Sequence, residues 1–178
     1  MENEKYPSWK HAMTYGLYIG IALIVLSLVY YLLDVYAEKW TGYISYVVLL
    51  LGIIFSQIKY RDDRLGGYIT FGQSFSTGFL TGLFAAVLTA IFSYFFISYL
   101  GEDFIDTLLQ KSEEAMIEAR PNMSDDQIEQ SMNMARKFMS PGIMTIFSFL
   151  GSTVVSLILA LIAAIFTKRA DNSIEPTV

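Results

Sequence analysis

Hydrophobic and polar positions fall into long blocks along this chain. Charged side chains are absent between His11 and Asp34, Lys39 and Lys59, Arg64 and Glu102, and Lys137 and Lys168. A bilayer core of ~30 Å takes roughly 20 apolar helical residues, and every block reaches about that length. The pattern predicts four transmembrane helices, over about Thr14 to Leu33, Tyr43 to Ile58, Gln73 to Leu100 and Gly142 to Thr167. The expected fold class is therefore all-α: a polytopic integral membrane protein forming one membrane domain, with no room for a second globular one.

The punctuation between blocks agrees. Trp9 and Tyr30, Tyr31 and Tyr36 flank the first span as an aromatic headgroup belt does. Val35-Tyr36-Ala37 has the form of a signal-peptide cleavage site, but the uncharged run is longer than a signal h-region and its flanks are poor, so the span is read as retained. Glu38 to Gly42 are expected to form a short turn. A second connection runs from Lys59 to Gly67 and ends in two adjacent glycines, which relax the backbone. The block after Arg64 exceeds one helix, so Tyr68 to Gly72 are expected as an interfacial approach to the third span.

Between spans three and four lies the polar segment 102–139. Phe104, Ile105, Leu108, Leu109, Met116 and Ile117 recur at helical spacing and predict an amphipathic helix over about 102–119. Arg120-Pro121-Asn122 breaks it. Ser124 and Gln127 then have capping-box spacing, and Ile128, Met132, Ala135 and Met139 give the next helix, over about 125–139, an apolar stripe. The expectation is a helical hairpin outside the cytoplasm.

Charge supplies the orientation. Residues 101–140 carry nine acidic and four basic side chains, and the rest of the chain eight of each, so the net −5 belongs to this one segment. The N-terminal stretch, the 59–64 connection and Lys168-Arg169 together hold seven basic residues. The positive-inside rule then puts both termini in the cytoplasm.

Candidate chemistry is sparse. With no cysteine and His11 the lone histidine, there is no thiolate or histidine-pair metal site, no serine–histidine pair and no disulfide. Glu113-Glu114 and Asp125-Asp126 with Glu129 lie on predicted helices, where they read as a solvated face and not as a converging calcium loop. Gln57, Gln73 and hydroxyls such as those of Ser27, Thr77, Thr81, Thr89 and Ser93 are polar groups placed within the membrane, with no ionisable residue at mid-depth of the kind pumps keep. No catalytic residue, metal or cofactor is expected.

Small residues recur at every fourth position: Ser74, Gly78, Gly82, Ala86 and Ala90 in span three; Ser148, Ser152, Ser156, Ala160 and Ala164 in span four; Ala12, Gly16 and Gly20 in span one. In lipid, helices associate through close backbone approach, which small side chains permit. Gly78, Gly82 and Ala86 are expected to pack against Ser152, Ser156 and Ala160, with homo-oligomerisation through one stripe as the alternative. Lys59, Arg61 and Arg64 are a candidate site for an anionic lipid headgroup. Three cations fall short of the 4–8 of a lipid-recognition cluster, however, and Asp62 and Asp63 offset them, so a role in topology is the first reading.

Tyr60-Arg61, then Gly66-Gly67-Tyr68-Ile69-Thr70-Phe71-Gly72-Gln73-Ser74-Phe75, then Gly78 resemble the signature region of the bacterial membrane family known as domain of unknown function 4199. The resemblance covers most of the chain and implies four spans in the inner membrane of a Gram-negative bacterium, with no catalytic residue carried over. Function is expected to be that of a non-enzymatic scaffold or accessory subunit, for which the resemblance suggests an envelope lipid or glycan enzyme. The alternative is a small transporter or oligomeric channel lined by hydroxyls of spans three and four. The expected partners are the bilayer, an anionic lipid, and a membrane protein or a second copy of the chain; nucleic acid is not among them.

Overall fold

A computed structural model describes residues 7–36 and 38–169, with the backbone alone for Lys39, Glu102 and Asp103. Ala37, the last residue of the cleavage-like tripeptide, lies outside the described residues. Among the described residues the chain forms five α-helices: α1 (Ser8–Leu32), α2 (Lys39–Arg64), α3 (Phe71–Ala119), α4 (Asp125–Phe138) and α5 (Pro141–Thr167). Four segments, Ser8–Leu32, Trp40–Arg64, Phe71–Gly101 and Pro141–Thr167, have 25 to 31 residues and are apolar enough to cross a membrane. The fold is all-α and the protein multi-pass.

Helix boundaries follow local chemistry. α1 starts well before Thr14 because nothing after Pro7 breaks it, and proline suits the start of a helix. It ends in a Schellman pair, Asp34 N–H to Tyr31 O at 3.1 Å and Val35 N–H to Tyr30 O at 3.0 Å. Asp34 takes the left-handed position at φ 55°, which a short polar side chain tolerates.

α2 corrects the expected boundary of the second connection. Lys59 to Arg64 are its last turns and not a loop. No residue before Gly66 breaks the helix, and Arg61 and Arg64 suit its negative end. Gly66 and Gly67, at φ 68° and 91°, then make the turn.

The long α3 is two helices joined at Gly101, whose φ 71° and ψ −159° fall in a region essentially reserved for glycine. The apolar span therefore ends where the acidic segment begins.

The residues divide into two compact units. The first holds the described residues up to Thr89 and from Leu150 on. Its apolar centre is Ile19, Leu49, Ile53, Ala85, Ala160 and Ala163, with Leu23, Phe75 and Phe79 packed around them. Larger side chains such as Leu17, Val25, Leu51, Val154 and Ile158 point outward and are exposed. Small residues inside and large apolar ones outside suit a helical protein whose solvent is lipid.

The second unit is Ala90–Phe149. Leu109 is buried there, Phe104, Leu108, Ile128 and Met132 are half-buried, and α4 buries no residue fully. Arg136 reaches Asp106 at 2.8 Å across thirty positions, bringing α4 beside the 102–119 helix. Gln127 Oε1 accepts from Ser124 N–H at 3.2 Å, the reach-back half of a capping box. Phe138 packs edge-on against Phe147, 6.4 Å between centroids.

Candidate functional site

Inside the first unit, α1, α2, α3 and α5 bring polar side chains together in a place where lipid and apolar neighbours leave them only one another. Gln57 of α2 is fully buried. Its Nε2 donates to the carbonyls of Ser74 (3.1 Å) and Ala160 (3.4 Å), on α3 and α5. Its Oε1 accepts from the Thr167 hydroxyl at 3.0 Å, and Thr167 Oγ1 lies 2.6 Å from Ser74 Oγ. Three helices are therefore tied by one amide and two hydroxyls.

A second string joins α1 to the same region. His11, 6% exposed, has Nε2 2.9 Å from the Ser56 carbonyl and packs on the rings of Tyr15 and Tyr60. Ser56 Oγ lies 2.8 Å from Thr81 Oγ1, which donates to Thr77 O on its own helix. Each contact removes a polar group from an environment where leaving it unmade costs ~1–3 kcal/mol. Among the described residues, three buried hydroxyls of this unit, those of Tyr30, Thr77 and Ser156, have no partner.

Glycines make room for these contacts. A Cβ on Gly78 would strike the Gln57 amide, and one on Gly82 would lie 2.6 Å from Ser156 Cβ. A Cβ on Gly16 would lie 2.6 Å from Phe84 Cβ and 2.7 Å from Thr81 O. The stripe on α3 thus meets two helices, Gly78 receiving α2 and Gly82 receiving α5. Ala86 and Ala160 are buried, Ser152 is half-buried and Ser148 is exposed. Hence the α5 stripe is an interior face only over its later turns.

At the end of the knot the three basic residues of α2 are placed differently from one another. Arg61 is tucked in: Nε and Nη2 donate to Asp62 at 2.7 and 3.2 Å, and Nη1 donates to Thr167 O at 3.3 Å. Thr167 O is one of the terminal carbonyls of α5, which a cation suits. Lys59 Nζ lies 5.9 Å from the Phe55 ring centroid, and Arg64 is exposed. No group of three His, Asp or Glu side chains converges among the described residues.

A family model described as a protein of unknown function (DUF4199) matches residues 14–169. The chain belongs to the DUF4199 family. No curated protein and no solved structure gives a significant match.

The stretch that carries the DUF4199 resemblance builds one end of the knot. Gly67 N–H bonds Arg61 O at 2.9 Å, closing the turn. Ile69 pairs with Arg169 in an isolated antiparallel bridge, 3.0 and 2.9 Å for its two bonds. Thr70 and Gln73 cap α3 reciprocally: Gln73 N–H donates to Thr70 Oγ1 at 3.3 Å and Thr70 N–H to Gln73 Oε1 at 3.0 Å. Gln73 is thus a cap at the start of α3.

Gln57, Thr77 and Thr81 stand out in the sequence as polar residues in apolar blocks. The roles of His11, Ser56, Ser74 and Thr167 do not, since each looks like an ordinary residue near a span end. Position on a small-residue face is the signal that finds them. His11 sits beside Ala12 on the face continued by Gly16 and Gly20, and Ser74 begins the α3 stripe.

Proposed function

We propose that this DUF4199 protein is a non-enzymatic scaffold or accessory subunit of a bacterial inner membrane, with both ends of the chain in the cytoplasm. The observation that carries the reading is the Gln57 knot. Its amide and hydroxyls are spent on Ser74, Ala160 and Thr167, which fixes α2, α3 and α5 against one another instead of lining a route for a solute. A body locked in this way offers its outer apolar faces to a membrane partner, for which an envelope lipid or glycan enzyme is the proposed class.

Affinity purification in native lipid followed by protein mass spectrometry should recover a membrane protein in near-stoichiometric amount. Proteoliposomes of the purified chain should be no more permeable to small ions than empty ones. Ion flux above that background contradicts the reading.

A transporter or oligomeric channel is the second reading, favoured by the orphan hydroxyls of Thr77 and Ser156 on α3 and α5. In a dry bundle Ser156→Ala relieves an unpaired group and leaves thermal stability equal or higher. In a wetted pathway the same change removes a solvated lining group and alters flux.

Orientation has its own test. Cysteine at Asp63 should stay shielded from an impermeant thiol reagent in intact cells while cysteine at Asn122 is labelled; the reverse pattern would invert the topology.

A further inference from the structure

We propose that the end of the first unit carrying the α2–α3 turn binds a phosphate-bearing anionic lipid, through cations drawn from three separate parts of the chain. The sequence offers three basic residues on α2, too few for lipid recognition. The fold adds three more.

The Ile69–Arg169 bridge brings Lys168 and Arg169 to the turn that follows α2, and Arg61 bonds the carbonyl of Thr167 just before them. Asp62 lies in the electrostatic field of Arg61, Arg169 and Lys59 together. His11 stacks on Tyr60 and lies in the field of Arg64 and Asp63, which brings its neighbour Lys10 to the same end. Lys10, Lys59, Arg61, Arg64, Lys168 and Arg169 therefore share one end, opposed by Asp62 and Asp63.

Three of these cations mark the depth of the membrane surface. Lys10 lies 5.7 Å from the Trp9 ring centroid, Lys59 5.9 Å from Phe55 and Arg169 5.8 Å from Tyr68. Long basic side chains lying along aromatic rings at a span end are placed at headgroup level. α3 begins at Phe71 beside them, so the positive end of its dipole adds to the same field. Arg61 holds a carboxylate in its fork, the geometry that also holds a phosphate. Asp62 is exposed and can be displaced from that fork.

The occupant is a lipid and not a soluble anion because the cations ring the span ends at the depth of the aromatic belt. A lipid phosphate arrives there with its tails already in the bilayer.

The test uses the full chain purified in mixed micelles containing equal amounts of phosphatidylcholine and phosphatidylglycerol, with retained lipids counted by native mass spectrometry. Phosphatidylglycerol should be retained preferentially. Lys168→Gln with Arg169→Gln, outside the α2 cluster, should cut that retention roughly tenfold or more. Asp62→Asn, which removes the negative charge competing for the Arg61 fork, should raise it, a gain that misfolding cannot imitate. Arg120→Gln in the other unit should change nothing, and millimolar inorganic phosphate should not displace the lipid.

Equal retention of both lipids by the wild type overturns the proposal. So does full retention by the folded 168/169 variant, or no gain in Asp62→Asn. Displacement by inorganic phosphate would make this a soluble-anion site and overturn the lipid assignment.

Discussion

The two units solve the polar-group problem in opposite ways. In the first, Gln57, Ser74 and Thr167 are buried and satisfied by one another across three helices. In the second, α4 buries nothing fully, and its polar contacts stay at the surface: the Ser124–Gln127 box and the Arg136–Asp106 pair, whose side chains are 66% and 55% exposed. Where water is excluded, hydrogen bonds between helices fix helix positions without water competing for the same groups. Where water competes, the same bonds are worth less, and amphipathic packing with local capping carries the helix. The contrast predicts how each region responds to substitution.

The largest effect belongs to the glycine contacts of the first unit. Gly82→Leu should cost ~3 kcal/mol or more, since Ser156 Cβ cannot move without its backbone. Gly151, where a Cβ would meet only open space, should accept the same change within about 0.5 kcal/mol. Thermal melts in detergent compare the two, and equal shifts would remove the packing explanation.

Gly101→Ala comes next. Nothing crowds a Cβ there, so its cost of ~1–3 kcal/mol is backbone strain alone. Circular dichroism should show whether the chain instead straightens into one continuous helix, with helix content rising at the break.

In the second unit Ser124→Ala should cost ~0.5–2 kcal/mol of helix stability, read by hydrogen exchange of α4 amides. Arg136→Ala should have the smallest effect, ~0–1 kcal/mol and weaker still at high salt. If Arg136→Ala exceeded Gly82→Leu, the comparison between the units would be reversed.

The spans were legible because a bilayer imposes length and apolarity together, and the four uncharged blocks show both. The capping residues Ser124 and Gln127 were legible because a cap is a local pattern of spacing. The end of α2 was not, because Lys59 to Arg64 look like a charged loop when hydropathy alone sets the boundary. Helix propensity continues through those residues until Gly66. The knot was half legible. Gln57 stands out against an apolar run, while Thr167 and Ser74 acquire meaning only once α5 and α3 lie beside α2. The basic rim was least legible, because Arg169 joins it through a backbone pairing with Ile69, far away in the chain. No periodicity encodes that pairing.

Gln57 and Thr167 acting together are what lock the three helices, and their coupling can be measured. A double-mutant cycle with Gln57→Leu, Thr167→Val and the combined variant, followed by thermal unfolding in lipid nanodiscs, isolates it. Interhelical hydrogen bonds within membranes set the scale, and a coupling of ~0.6–1.7 kcal/mol is expected, with the double variant losing less than the two single losses combined. Additive losses would contradict a knot that locks the three helices.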